Sequence, residues 1–258
     1  MSAPASVGID AGSTTFKAVM IDADGQILDS FLEGSDPRIE KQQAAALESL
    51  GAPKSVPIVA TGYGRNRVAA DKAITEITCH ARGAFSRMRE AGILIDVGGQ
   101  DTKVIRLGQN GGVLDFAMND KCAAGTGRFL EVILARLRIS QEEVAGYASR
   151  STRAIPINST CTVFAESEVV SLVARGEALE DIVAGLHAAL ANRIASLAGS
   201  VPPNARLFMS GGVALNSVMV TALSKELSRP VSVVPDPQLI GALGAALSAL
   251  PNWNKARL

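Results

Sequence analysis

Ser6-Val-Gly-Ile-Asp10-Ala-Gly12-Ser-Thr-Thr15-Phe-Lys17-Ala-Val-Met-Ile21 contains the pattern from which the architecture of this chain can be predicted. Short apolar runs on both sides of a small polar turn predict the two strands of a hairpin, with Asp10 at its mouth. The same pattern returns over residues 92–105, where Asp96 takes the place of Asp10. This repetition predicts two similar half-domains, which we place at residues 1–90 and 91–258.

Both turns contain residue types that suit phosphate binding. Glycine permits close backbone approach and positive φ, Ser and Thr supply hydroxyl groups, and successive backbone N–H groups in such turns surround phosphate oxygens. The carboxylates of Asp10 and Asp96 would then hold magnesium between the two turns, directly or through water. One such turn alone is more typical of an ordinary glycine hairpin, but two turns with matching acids favour a nucleotide site.

A third glycine element lies in Leu207-Phe-Met-Ser210-Gly211-Gly212-Val-Ala-Leu-Asn216. The pattern predicts a strand, a Gly-Gly turn and a helix. Such a turn lets a flat ligand lie against the backbone at the start of a helix. Taken alone it is a weak signal, because many strand-to-helix turns of α/β proteins share it.

Two of the three cysteines precede stretches with apolar residues at helical spacing. Cys122 lies in Asn119-Asp-Lys-Cys-Ala-Ala-Gly125-Thr126-Gly-Arg128, and Cys161 in Ser159-Thr-Cys-Thr162. Both sulfurs are therefore expected near positive helix ends, which favours an anionic ligand or cluster. A four-iron cluster takes four thiolates, and a two-fold symmetric dimer would bring two such pairs together. From these residues alone, two buried and inert cysteines are an equally open interpretation.

Composition indicates a globular protein without a strong charge bias. Hydrophobic residues make up 47% of the 258, so a substantial core is possible. The 25 Lys and Arg balance 25 Asp and Glu, which gives no bulk electrostatic reason to expect nucleic acid or a membrane as partner. No apolar run reaches the roughly 18 residues of a spanning helix, and the N-terminus lacks a signal-peptide pattern. Together with the odd number of cysteines, this predicts a cytoplasmic protein.

The succession of two phosphate hairpins and a late Gly-Gly turn resembles the actin, sugar-kinase and heat-shock ATPase superfamily. The resemblance implies an α/β fold with two ribonuclease-H-like half-domains and ATP in the cleft between them. Several segments look more specifically like the activators (component A) of 2-hydroxyacyl-CoA dehydratases and the related ATPase subunits of benzoyl-CoA reductases. These segments are Ala60–Arg65, Glu76–Ala81, Ile95–Val104, Met118–Leu130, Ser159–Val169 and Asn216 with its preceding glycines.

The family resemblance also implies an activity and its partners. Members are homodimers with one bridging 4Fe-4S cluster, and they use ATP to pass a single electron to an acyl-CoA dehydratase or reductase. A ferredoxin or flavodoxin is the expected electron donor. The sequence leaves open whether ATP mainly tunes the potential of the cluster or reshapes the face that meets the partner enzyme.

Site residues follow from the same resemblance, position by position. Cys122 and Cys161 are the implied cluster ligands, Asp10 and Asp96 position magnesium and the triphosphate, and Gln100 or Glu76 orients the attacking water. The implied nucleotide-binding residues are Gly12, Ser13, Thr14, Thr15 and Lys17 in the first hairpin, Gly98 and Gly99 in the second, Gly125 and Thr126 after Cys122, and Gly211, Gly212 and Gly241 towards the adenosine.

Two alternative functions use the same sequence features differently. A small-molecule kinase of the same superfamily would use the nucleotide loops and bury the cysteines in its core. An ATP-gated regulatory protein would bind zinc between subunits through the same cysteines. The neighbouring pair Cys79-His80 is interpreted as structural, because adjacent residues of a helix point in different directions.

Overall fold

The computed structural model describes residues 2–251. Within this range the chain forms two compact units, the first from residues 2–94, 105–116 and 234–251 and the second from residues 95–104 and 117–233. The boundary between residues 90 and 91 that the repeat suggests stays a prediction. In the described part of the chain, no helix is long and apolar enough to cross a membrane.

Two five-stranded sheets share one strand order. The first contains β1 (Pro4–Ala11), β2 (Thr15–Asp22), β3 (Ile27–Gly34), β4 (Ile58–Thr61) and β5 (Lys72–Ala73), in the order β3-β2-β1-β4-β5. The second contains β6 (Gly92–Val97), β7 (Thr102–Leu107), β8 (Val113–Asn119), β9 (Arg206–Ser210) and β10 (Val231–Val233), in the order β8-β7-β6-β9-β10. Each strand of the first sheet therefore has a counterpart in the second, which confirms the duplication predicted from the two hairpins.

Strand directions in the first sheet are mixed. β1 is antiparallel to β2, and β2 is antiparallel to β3, whereas β4 is parallel to both β1 and β5. In the second sheet β9 and β10 are parallel. Antiparallel strands can be joined by short turns, and parallel strands need longer crossovers. This is why the first hairpin is formed by the consecutive strands β1 and β2.

Helices occupy the connections between and beyond the strands. They are α1 (Ile39–Ser49), α2 (Glu76–Met88), α3 (Gly127–Leu137), α4 (Val144–Arg150), α5 (Thr162–Ala174), α6 (Leu179–Ala198), α7 (Ser217–Glu226) and α8 (Ile240–Leu247). The helix expected directly after Gly212 begins only at Ser217, because a 3-10 turn (Gly212–Leu215) intervenes. Asn216 then caps α7, its side-chain oxygen accepting a hydrogen bond from the Met219 amide at 3.1 Å.

The first sheet is covered on both faces. Val7 and Ile9 of β1 pack in one buried cluster with Ala46 of α1, whereas Val19 and Ile21 of β2 pack in another with α8. Side chains alternate between the two faces of a strand, so both clusters can form from the same two strands. Burying an aliphatic side chain of this kind contributes roughly 1.5–3 kcal/mol.

Helix α8 approaches the first sheet and α2 closely because glycines line the contact. A Cβ atom at Gly8 of β1 would overlap the carbonyl oxygen of Ala242, and one at Gly244 would overlap the carbonyl oxygen of Cys79. The C-terminal helix is thereby held beside the first hairpin. Its first turn also reaches the carboxylate of Asp10, as described below.

Candidate nucleotide and cysteine sites

The first hairpin places Asp10 opposite Lys17. The two residues are paired in the β1–β2 register, and Lys17 Nζ lies 3.2 Å from Asp10 Oδ2. Asp10 is buried, whereas Ser13 and Thr14 at the tip of the turn are exposed. The turn is fixed from behind by Ser35, whose hydroxyl donates to the Gly12 carbonyl at 2.6 Å. The exposed tip therefore offers its polar groups while its base is held by protein contacts.

Two glycines crowd the carboxylate of Asp10. At Gly62, which has a φ of +92°, a Cβ atom would lie 2.5 Å from Asp10 Oδ1. At Gly241 it would lie 2.8 Å from Asp10 Oδ2 and 2.9 Å from His80 Cε1. Gly241 thus permits a close approach of α8 to Asp10 and His80. Its assignment to the adenosine site stays a prediction.

Glu76 begins α2, in the same unit as Asp10. Its carboxylate lies 3.9 Å from Arg65 Nη1, and its carbonyl oxygen lies 2.9 Å from His80 Nδ1, one turn further along the helix. Cys79 lies between these two residues in α2, and burial raises the pKa of its thiol to about 11. A thiol that stays protonated at neutral pH is a poor metal ligand, in agreement with the structural interpretation of Cys79-His80.

The second hairpin repeats the acid–lysine arrangement in a more buried form. Lys103 Nζ lies 3.5 Å from Asp96 Oδ2 and donates to Asp101 Oδ2 at 2.6 Å, and the Ser210 hydroxyl donates to Asp96 Oδ1 at 2.7 Å. The Lys103 side chain is 3% exposed, compared with 15% for Lys17. Lys103 was not assigned from the sequence, although Asp96 and Lys103 have the same seven-residue spacing as Asp10 and Lys17.

The turn of the second hairpin is hydrogen-bonded to the segment that follows Cys122. The Gly98 carbonyl accepts from the Gly127 amide at 2.9 Å, and the Gly99 carbonyl accepts from the Arg128 amide at 3.0 Å. Two threonine hydroxyls add to these bonds: that of Thr126 donates to the Gly99 carbonyl at 3.0 Å, and that of Thr102 to the Gly125 carbonyl at 2.7 Å. Gln100 remains exposed at the tip. Four hydrogen bonds thus join a predicted phosphate turn to a predicted cluster segment.

The Gly-Gly element is supported by α6. Gly211 has a φ of +86° and lies so close to Val97 that a Cβ atom would overlap the Val97 carbonyl, so this position requires glycine. Asn216 Nδ2 lies 3.0 Å from His187 Nε2, and His187 Nδ1 lies 2.7 Å from the Val183 carbonyl. Burial lowers the pKa of His187. A neutral ring that donates through Nδ1 and accepts through Nε2 satisfies both contacts.

Cys122 is exposed and its backbone is held by one side chain. The Asn119 amide group donates to the Cys122 carbonyl at 2.8 Å, and the Asn119 oxygen accepts from the Cys122 amide at 3.1 Å. A 3-10 turn (Ala123–Gly125) follows, and α3 begins only at Gly127. The helix predicted after Cys122 is therefore confirmed, with one short turn between them.

Cys161 is also exposed and directly precedes α5. The loop before it is held by Glu168, whose carboxylate accepts from the Asn158 amide at 3.0 Å and the Ser159 amide at 2.8 Å. Partial burial raises the pKa of Glu168, but these hydrogen bonds together outweigh that effect and lower it. The prediction that this pair is buried is wrong, because Cys122 and Cys161 are both exposed.

Arg193 of α6 connects the two cysteine loops. Its Nη1 donates to the Ala124 carbonyl at 3.0 Å, and its Nη2 donates to the Ser159 carbonyl at 2.8 Å. The guanidinium also stacks on the buried ring of Phe129, 4.4 Å from the ring centroid. Burial lowers the pKa of Arg193. Nothing in the sequence indicated this residue.

The cysteine pair suits part of an iron–sulfur site. Residues 2–251 contain no group of three or more His, Cys, Asp or Glu side chains arranged to hold a metal ion. The whole chain has three cysteines, and one of them, Cys79, is buried. One copy therefore supplies two accessible thiols, and a four-thiolate cluster requires two copies.

Two matching sheets, each with an aspartate hairpin, define the fold of the actin-like ATPases. Residues 7–249 match the BadF/BadG/BcrA/BcrD ATPase family, and the chain belongs to this family and is an ATPase. It is 44% identical over 250 residues to the activator of lactoyl-CoA dehydratase from Anaerotignum propionicum, covering 94% of this chain and 96% of the relative.

Solved structures agree with this assignment. The structure of the activator of the 2-hydroxyisocaproyl-CoA dehydratase from Clostridium difficile, which has ADPNP bound, matches with a TM-score of 0.87 and 41% identity, over 97% of this chain and 96% of that one. Component A of the (R)-2-hydroxyglutaryl-CoA dehydratase from Acidaminococcus fermentans matches with a TM-score of 0.89 and 40% identity, over 97% and 99%. The protein thus resembles dehydratase activators over nearly its whole length.

Proposed function

We propose that this protein is an ATP-driven one-electron donor that activates an acyl-CoA dehydratase or reductase. The observation that carries the proposal is the hydrogen-bonded connection between a predicted phosphate turn, Gly98–Thr102, and the segment after the exposed Cys122. In a kinase with core cysteines, nothing would require an exposed thiol next to this turn. The relatives named as dehydratase activators support the same partner class for this chain.

For ATP, we propose that the exposed turn residues bind phosphate oxygens through backbone N–H groups and hydroxyls. Because Asp10 and Asp96 are each within ion-pair distance of a lysine, neither brings a full uncompensated charge. Magnesium keeps several waters and is usually bound by one or two carboxylates plus substrate phosphates. Each aspartate fits that role through water, and Lys17 and Lys103 would orient the carboxylates.

For hydrolysis, we propose that Glu76 or Gln100 orients the attacking water. Glu76 is one helical turn from His80, which lies beside Asp10, whereas Gln100 is exposed at the tip of the second hairpin. Positioning and charge neutralisation supply most of the catalysis of phosphoryl transfer.

For the redox centre, we propose that Cys122 and Cys161 of two copies hold one 4Fe-4S cluster in a homodimer. When bound, the cluster would supply a one-electron couple, which a ferredoxin or flavodoxin would reduce. The chain's own contribution is to hold two exposed cysteines, one before the 3-10 turn that leads into α3 and one directly before α5. Loss of the γ-phosphate near Gly98 and Gly99 would shift the segment after Cys122, because the carbonyl groups of both glycines are hydrogen-bonded to it.

The test is the iron and acid-labile sulfide content, with the visible spectrum, of protein purified without oxygen. We expect about four irons per two chains, because four thiolates bind one four-iron cluster. Cys122→Ala and Cys161→Ala should each abolish iron binding, and the matched control Cys79→Ala should retain it. A colourless wild-type dimer that cannot be reconstituted with iron and sulfide would overturn the proposal and favour the kinase or the zinc-binding regulator.

A further inference from the structure

Arg193 makes the contacts expected of a brace between the two cysteine loops. One guanidinium group binds the carbonyl oxygen of Ala124, two residues after Cys122, and that of Ser159, two residues before Cys161. Its plane is fixed by stacking on Phe129. Both loops are therefore held at hydrogen-bonding distance from a single rigid group.

The opposite side of each loop is held separately. Glu168 accepts from the Ser159 amide, so both sides of the loop before Cys161 are fixed by charged side chains. Asn119 fixes the Cys122 backbone but reaches only its own loop. Among the hydrogen bonds of residues 2–251 described above, only those of Arg193 connect one cysteine loop to the other through a side chain.

We propose that Arg193 is a positioning residue that sets the separation of Cys122 and Cys161 within one chain, so that the pair is preorganised for a shared cluster. This inference rests on the proposed function. A planar guanidinium with two parallel donors is needed for the role, because lysine carries the charge but cannot bind both carbonyls in a fixed geometry. Residues that orient metal ligands typically change metal affinity or activity by 10–100-fold when they are replaced.

The experiment compares Arg193→Met and Arg193→Lys with wild type in two states. In the protein without iron, amide hydrogen exchange is measured on peptides that cover residues 119–128 and 157–163. In the anaerobically reconstituted dimer, the rate of iron loss to a ferrous chelator is measured. Arg128→Lys is the matched control, because Arg128 lies in the segment after Cys122 and its exposed side chain pairs with Glu131 of its own helix, at 2.7 Å.

We expect both peptides to exchange faster in both Arg193 variants, with exchange in β1 and β2 unchanged, and iron loss to accelerate by about tenfold or more. The control should match wild type in both measurements. Unchanged exchange in Arg193→Met would overturn the inference, and so would wild-type behaviour of Arg193→Lys, which would show that charge alone matters. If wild type binds no iron but both loops still exchange faster in the Arg193 variants, the proposed function would be overturned and the bracing role would be supported.

Discussion

The two hairpins of this protein share a plan but differ in what lies behind their turns. In both, an aspartate on the first strand faces a lysine seven residues later on the second. Behind the first turn stands Ser35, which bonds to the Gly12 carbonyl. Behind the second stands the segment after Cys122, which bonds to the carbonyls of Gly98 and Gly99.

This difference suggests a division of labour between duplicated elements. In the proposed function each turn would present its N–H groups to phosphate, which leaves its carbonyl groups to contact the protein. The carbonyl of the first turn contacts Ser35, directly after β3, and the carbonyls of the second contact the segment after the exposed Cys122. We therefore propose that the first hairpin serves nucleotide binding alone, and that the second also transmits the state of the nucleotide to Cys122.

The largest expected effect comes from the buried lysine of the second hairpin. Lys103→Met should lower the free energy of unfolding by about 3–5 kcal/mol, because it removes the cation that the buried Asp96 shares with the partly buried Asp101. Lys17→Met should cost less, roughly 1–3 kcal/mol, because the Lys17 side chain is 15% exposed and that of Lys103 only 3%. Urea unfolding of both variants measures the difference. Equal losses would show that the two ion pairs are equivalent despite their different burial.

The next prediction compares the hydrogen bonds that hold the carbonyl groups of the two turns. Thr126→Val removes a hydroxyl that bonds to the carbonyls of Gly99 and Ala123, and Ser35→Ala removes the one that bonds to Gly12. Each should cost about 1 kcal/mol of stability, since a partly buried carbonyl loses a hydrogen bond.

Only Thr126→Val, however, should accelerate iron loss from the reconstituted dimer, by several-fold. Thermal unfolding and chelator assays on the same preparations provide both values. Equal iron loss in the two variants would contradict the distinction between the turns.

The smallest effect concerns the loop before Cys161, which is held by the carboxylate of Glu168. Because the folded pKa of Glu168 is lowered, its contribution to stability is complete above the ordinary value of 4.5 and is lost as the pH falls through the lower folded value. Glu168→Gln in iron-free protein should therefore lower the melting temperature by about 2–4 °C near pH 7, and the difference should shrink below pH 4.5. Glu166→Gln, which loses an exposed pair with Arg136, should change little. A difference that persists undiminished at low pH would contradict the role given to this carboxylate.

Much of the fold could be predicted because its signals are local. The strands beside Asp10 and Asp96 are short apolar runs next to glycine turns, and their repetition predicted two sheets of one design. The helices after Cys122 and Cys161 were likewise visible as apolar residues at helical spacing. Only the 3-10 turns after Cys122 and Gly211 delayed the helix starts, because such short turns leave no periodic pattern.

The contacts that organise the site could not be predicted because they join distant parts of the chain. Arg193 meets Ala124 across 69 positions and Ser159 across 34, and Ser210 meets Asp96 across 114. A lone arginine or serine in an apolar element gives no local indication of its partner. Lys103 was not assigned either, although its contact with Asp96 could have been predicted, because its spacing from Asp96 repeats that of Lys17 from Asp10.

The most direct test of the account is the rate of iron loss from the anaerobic dimer to a ferrous chelator, with ADP and with the non-hydrolysable ATP analogue ADPNP. If the second hairpin transmits the state of the nucleotide to Cys122, the two rates should differ by several-fold in wild type, and the difference should be smaller in Thr126→Val. Identical rates with the two nucleotides, in a dimer shown to bind both, would contradict the account.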